Sequence, residues 1–161
     1  MPFYEDLSHY GYCDDGADAF NVGWLAEGHT FAVGDVPAGF PDRLARLTVR
    51  HPVNRMRGWH ACPFCEVEYP IRVEVDGERQ PIGDAEIRVS GTGGRAYAAP
   101  TLISHYVDAH RYRPPEEFVD AVLRTPGAAP SSAKPSKPET ALVTDVALPV
   151  TASPTVEARF P

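Results

Sequence analysis

Cys62 and Cys65 stand two residues apart in "RGWHACPFCEVEYP", and this pair restricts the folding of the chain more than any other feature. A close thiol pair holds a metal, exchanges electrons, or packs as two small apolar side chains. Zinc favours tetrahedral sets of thiolate and imidazole, and the first half of such a site is commonly two cysteines in a tight knuckle. The second half is often a pair of histidines three to five residues apart near a helix. Here "SHYVDAH" supplies His105 and His110, with four residues between them. On an ideal helix an i, i+5 pair lies about 140° apart, so the two imidazoles converge only where the helix tightens or unwinds at its end. Pro114 and Pro115 place that end just beyond His110, because a residue before proline avoids the helical region.

Thirty-nine residues separate Cys65 from His105, against roughly 12 in a compact DNA-binding finger. That gap excludes the finger's recognition geometry but not the metal. Cys62, Cys65, His105 and His110 are therefore the expected ligands of one structural zinc per chain, with His60 in "GWHAC" the first substitute for either histidine. Two thiolates and two imidazoles leave no open position for water, so the expectation is a binding module without catalytic residues. Two other readings compete. "CPFC" resembles the active-site tetrapeptide of glutaredoxin-like thiol oxidoreductases, which implies a thiol-disulfide oxidoreductase with Cys62 as nucleophile and Cys65 as resolving thiol. Such a motif should open a helix that activates the first thiolate, whereas here "EVEYPIRVEV" follows and alternates as a strand. In the third reading both cysteines are structural thiols and the histidines are unrelated to them.

Around these segments the pattern is mixed. Phe3, Tyr4, Leu7, Tyr10 and Tyr12 suit an irregular arm laid on the core, and "FNVGWL" suits a short strand. "GDVPAGFPDRLARLTVRHPV" reads as a helix entered through Asp35 and Pro37 or Pro41 and stopped before Pro52. Phe40, Leu44 and Leu47 at i, i+4, i+7 form its expected buried face, with Arg43, Arg46 and Arg50 on the solvated side. "YPIRVEV", followed by the tight-turn signal "DGE", predicts one hairpin, and "AEIRVSGTGGRAYAA" predicts another turning at Gly91 to Gly94. That Gly-rich turn lacks a following Lys-Ser/Thr and is no phosphate loop. "APTLISHYVDAHRY" has helical periodicity through Leu102, Ile103, Tyr106 and Val107. "RPPEEFVDAVL" adds a last helix with Pro115 in its first turn. The order predicts an α+β fold: a zinc knuckle and β-hairpins packed with two or three short helices, a ββα-like zinc module with extra strands.

The net charge of −7 argues against a chain built mainly to coat nucleic acid. Its distribution is uneven. Residues 1–42 hold eight acids and no Lys or Arg, and then Arg43, Arg46, Arg50, Arg55 and Arg57 follow with no acid among them. Acidic arm and basic segment are expected to face each other or water; the sharper alternative is a nucleic-acid-binding zinc protein using Arg43 to Arg57. A protein partner ranks first. Three cysteines are a poor disulfide framework. There is no apolar run near the ~18 residues of a membrane span, and the acidic start lacks the features of a signal peptide. These point to no membrane and a cytoplasmic location, with thiols kept reduced. Composition divides the chain into a domain at 1–125 and a Pro/Ala/Ser-rich tail at 126–161, which has too little apolar surface to order itself.

The segments "NVGWL", "GWHACPFC", "AEIRV" and "YAAPTLISHYVDAHRYRPPEEF" together resemble a small uncharacterised bacterial domain family. The resemblance covers most of residues 1–124 and implies that the Cys and His segments belong to one domain. It implies no activity, substrate or partner.

Overall fold

The computed structural model of the 161-residue chain describes residues 1–13, 16 and 18–126. Asp14 and Asp15 of the acidic arm, and the tail beyond Pro126, lie outside the described residues. The elements run β1 (Phe20–Asn21), α1 (Phe40–Arg50), β2 (Pro52–Val53), β3 (Arg72–Val75), β4 (Glu78–Pro81), β5 (Glu86–Ser90), β6 (Ala96–Pro100), α2 (Ile103–His110) and α3 (Glu116–Arg124). This is an α+β fold. β1, β6, β5 and β2 lie side by side in one sheet, while β3 and β4 form a separate hairpin.

The central pair β5–β6 is antiparallel, with Ile87 opposite Ala99 and Val89 opposite Tyr97. Strand alternation sends Ile87, Val89 and Tyr97 to one face, where Tyr97 meets the edge of Phe118 from α3 at 5.8 Å between ring centroids. α1 packs against β5, α2 and α3 on this side. Its heptad-like spacing buries Phe40, Leu44 and Leu47 as the periodicity requires. The helix begins at Phe40, not at Asp35 or Pro37. Gly39 takes φ +79 just before it, a conformation suited to glycine, and Pro41 occupies the first turn.

The opposite face of the sheet carries Glu86 and Arg88 and is covered by the N-terminal arm. Glu86 is 0% exposed. Its carboxylate pairs with Arg88 and accepts the Tyr10 hydroxyl at 2.9 Å, and the Arg88 guanidinium lies 4.2 Å from the Tyr10 ring centroid. Backbone bonds from Tyr4 to Trp24, Leu7 to Asn21 and Tyr10 to Ala19 lay the arm alongside β1. Tyr4 and Tyr12 press their rings on the buried Trp24. A second anchor is Asp6, whose carboxylate accepts the Gly23 N–H at 2.9 Å and the Tyr112 hydroxyl at 2.7 Å. Burial pushes the Asp6 carboxyl up, against the opposing pull of those two bonds.

The arginine segment differs from the solvated stripe expected of it. Arg46 and Arg50 both clamp Asp76 at the tip of the β3–β4 hairpin, and the Arg46 side chain is only 13% exposed. Arg43 donates to the Leu123 carbonyl at 2.7 Å, and Arg55 pairs with Asp84. A helix face beside an acidic turn is a place for ion pairs, so these cations hold elements together. Arg50, then Arg46, keeps the Asp76 carboxyl below the usual carboxylate range.

Gly23 shows how closely the chain after β1 approaches α2. Its φ is +72, and an added Cβ would lie 2.8 Å from Ile103 Cδ1 and Cγ1. Gly28 has a similar φ of +81 but open space around it. Gly28→Ala should therefore cost about 1 kcal/mol for the left-handed backbone alone, whereas Gly23→Ala should cost about 3 kcal/mol once overpacking is added. Denaturant midpoints of the two variants check this; equal losses would contradict the packing described.

Candidate metal centre

Each half of the centre is positioned by a local feature. The Cys62–Cys65 loop precedes the β3–β4 hairpin and contains no helix. Phe64, between the two cysteines, donates its backbone N–H to Cys62 Sγ at 3.4 Å. The Phe64 ring turns inward against Phe31, Tyr106 and His110, with centroids 5.2, 5.8 and 5.5 Å away. It thereby closes one side of the cluster with apolar surface.

The histidines come from α2. His105 sits within the helix and is 9% exposed, and His110 is the last helical residue. The helix unwinds there as the i, i+5 spacing demands. Arg111 takes φ +53, and its N–H bonds to the Tyr106 carbonyl five residues back, not to the one four back. Such a widened turn rotates His110 toward the face of His105.

Cys62, Cys65, His105 and His110 each bring one ligand atom into a group whose members all lie within 4.8 Å of one another. Cys62 Sγ is 3.3 Å from His110 Nε2, and Cys65 Sγ is 3.4 Å from His105 Nε2 and 3.3 Å from His110 Nε2. Tetrahedral bonds of roughly 2.3 Å to sulfur and 2.0 Å to nitrogen place such neighbours ~3.5 Å apart. The four atoms therefore fit around a single metal ion. His60, the substitute ligand, stands outside the group: its backbone N–H bonds to the Gly83 carbonyl at 2.8 Å.

The environment suits a neutral or cation-filled centre. Burial pushes the Cys62 thiol up, with the Phe64 N–H pulling the other way and Cys65 adding to the rise. Burial also lowers His105, and the neighbouring His110 lowers it further. No helix starts at Cys62 to favour its thiolate, so the helix N-terminus of the glutaredoxin-like motif has no counterpart here. The third cysteine lies elsewhere, with Cys13 Sγ 3.4 Å from Glu86 Oε1.

Two contributors carry no sequence signal. Phe64 looks like a spacer in "CPFC" and serves as the wall. Tyr106, 0% exposed, lies edge-on to Phe64 of the loop with its ring tilted against both imidazoles, and burial keeps the proton on its phenol. The helical periodicity sets Tyr106 on the apolar face with Leu102, Ile103 and Val107, and it is buried there.

Fold and centre define a small α+β domain with a Cys₂His₂ cluster of metal-binding geometry. The chain belongs to the family described as "Domain of unknown function (DUF7919)", which matches residues 2–123 and so includes both halves of the cluster. No curated protein and no solved structure matches the chain. Among the described residues no helix is long and apolar enough to cross a membrane.

The left-handed Arg111 ends the helix directly after His110. Arg111→Gly should raise stability by up to about 1 kcal/mol, because glycine adopts this conformation freely and the exposed pair with Asp35 contributes little. Arg111→Val should lower it by about 1–2 kcal/mol. Equilibrium unfolding of both variants provides the check, and a stabilising valine would contradict the helix ending described.

Proposed function

We propose that Cys62, Cys65, His105 and His110 hold one structural zinc ion per chain, and that the protein acts in the cytoplasm as a module that binds a protein partner. The observation that carries this reading is the gathering of four donor atoms from two distant segments within 4.8 Å. Two thiolates and two imidazoles in a tetrahedral set match the preference of zinc over the harder, oxygen-seeking cations. A dication also compensates the Cys62 thiolate, which burial otherwise disfavours.

A fourfold protein ligand set leaves no site for an activated water, so the metal contributes folding energy and the role is binding. The loop carrying the cysteines supports an interaction role, since Trp59, Val67 and Tyr69 are large apolar side chains exposed on it.

Elemental analysis of the purified chain should find about one zinc per molecule, lost on Cys62→Ser or Cys65→Ser and kept on Cys13→Ser. Chelation should lower the unfolding temperature of the parent and of Cys13→Ser alike. A parent chain that is fully folded and free of metal, with a chelator-insensitive unfolding transition, would overturn the reading.

A further inference from the structure

The β3–β4 hairpin is a small sheet of its own, and its two edges differ. Val75 pairs with Glu78 and Val73 with Gln80 across the Asp76–Gly77 turn, and the Ile82 N–H donates to the Ile71 carbonyl at 2.9 Å. Hydrogen-bonded pairs alternate along an antiparallel ladder, so Ile71, Val73 and Val75 direct their backbone groups to β4. The N–H and C=O groups of Arg72 and Glu74 consequently point outward, and among the described residues they have no backbone partner. On β4 the outward positions are Arg79 and Pro81, and the missing N–H of Pro81 blunts that edge. The edge of β3 has no proline and is flanked by α1.

That open edge forms one wall of a groove of about 250 Å³, with the first turn of α1 opposite and α2 alongside. A second cavity of about 170 Å³ shares Arg72 and His105 with it and lengthens the channel. Asp42, Glu74 and Asp108 line the groove, against the single guanidinium of Arg72. None of the three carboxylates belongs to an ion pair among the described residues. Outward backbone donors and acceptors call for an extended chain, and the carboxylates call for a cationic side chain on it.

We infer that this groove takes an extended segment of a partner protein, which adds as a strand to β3 and places a lysine or arginine among Asp42, Glu74 and Asp108. The inference names a partner class for the binding role proposed above and rests on that role. His105 belongs to both the metal centre and the groove wall, so the helix that holds the metal also sets the groove's width.

The test is a titration of the full-length, ¹⁵N-labelled protein with the capped peptide Thr-Val-Lys-Val-Lys-Thr and with its counterpart carrying Glu for Lys. The Lys peptide should shift the amides of Arg72 and Glu74 and slow their hydrogen exchange, and the Glu peptide should do neither. Asp42→Asn and Asp108→Asn should each weaken the Lys peptide about threefold, the scale of an exposed ion pair. Added salt should weaken it further. Equal binding of both peptides, shifts confined to another surface, or no saturable binding would overturn the inference. So would Arg72 and Glu74 amides already protected in the peptide-free chain and released by Lys134→Glu with Lys137→Glu, since the occupant would then be the chain's own tail. Zinc content measured on the same samples separates the two proposals. A zinc-loaded sample that ignores the peptide overturns the groove alone, and a folded, metal-free sample that binds it overturns the metal alone.

Discussion

The carbonyl of Tyr106 accepts the N–H groups of both Arg111 and Tyr112, and much of the structure depends on that one terminal turn. It widens the last turn of α2 so that His110 joins His105 on the side facing the Cys62–Cys65 loop. It also reverses the chain at Arg111 and sends Tyr112 into the core, 0% exposed, with its hydroxyl on Asp6. The strand-like segment around Val33 then pairs with Tyr112, and Gly34 and Arg113 complete the backbone bonds on either side. A helix ending in the ordinary way would leave His110 well around the helix from His105. One backbone acceptor thus couples the candidate metal centre to the docking of the N-terminal arm.

Charge serves the same end of joining distant segments. Acids and arginines far apart in sequence meet in the fold: Asp76 binds Arg46 and Arg50, Asp84 binds Arg55, and Asp35 binds Arg111. The two pairs at Asp76 fix the tip of a hairpin that has no other sheet to join. Exposed pairs contribute little to stability, but they select among orientations of a hairpin otherwise held by Ile71 and Val75. The consequence is positional. The hairpin stands with its β3 edge toward α1 and α2, not against the main sheet.

The sequence discloses local features of this fold well and its assembly poorly. "DG" at 76–77 adopts positive φ at both residues, as a two-residue hairpin turn requires. The i, i+4, i+7 spacing of Phe40, Leu44 and Leu47 is a face that any packed helix must bury. The four cluster residues were legible because few combinations of thiol and imidazole make sense at such spacings. The parallel pairing of β1 with β6 left no trace, since each strand of that ladder contributes only two residues to it. The destination of the arginines was equally hidden, because Asp76 lies 26 and 30 residues from Arg50 and Arg46. Phe64 and Tyr106 carry the signature of ordinary core aromatics, and only their place beside the cluster distinguishes them.

A divalent ion held by two thiolates and two neutral imidazoles has no net charge. The centre proposed here would therefore add almost no field to the groove beside it, although His105 is common to both. The sign of that groove is then set by Asp42, Glu74 and Asp108 against Arg72. Removing the ion would change the groove through geometry, by releasing α2 from the cysteine loop, more than through electrostatics. A metal site of this kind acts as a fastener for the surface it supports. In the docking mode proposed, the recognising carboxylates of Asp42, Glu74 and Asp108 stand apart from the four metal-ligand candidates.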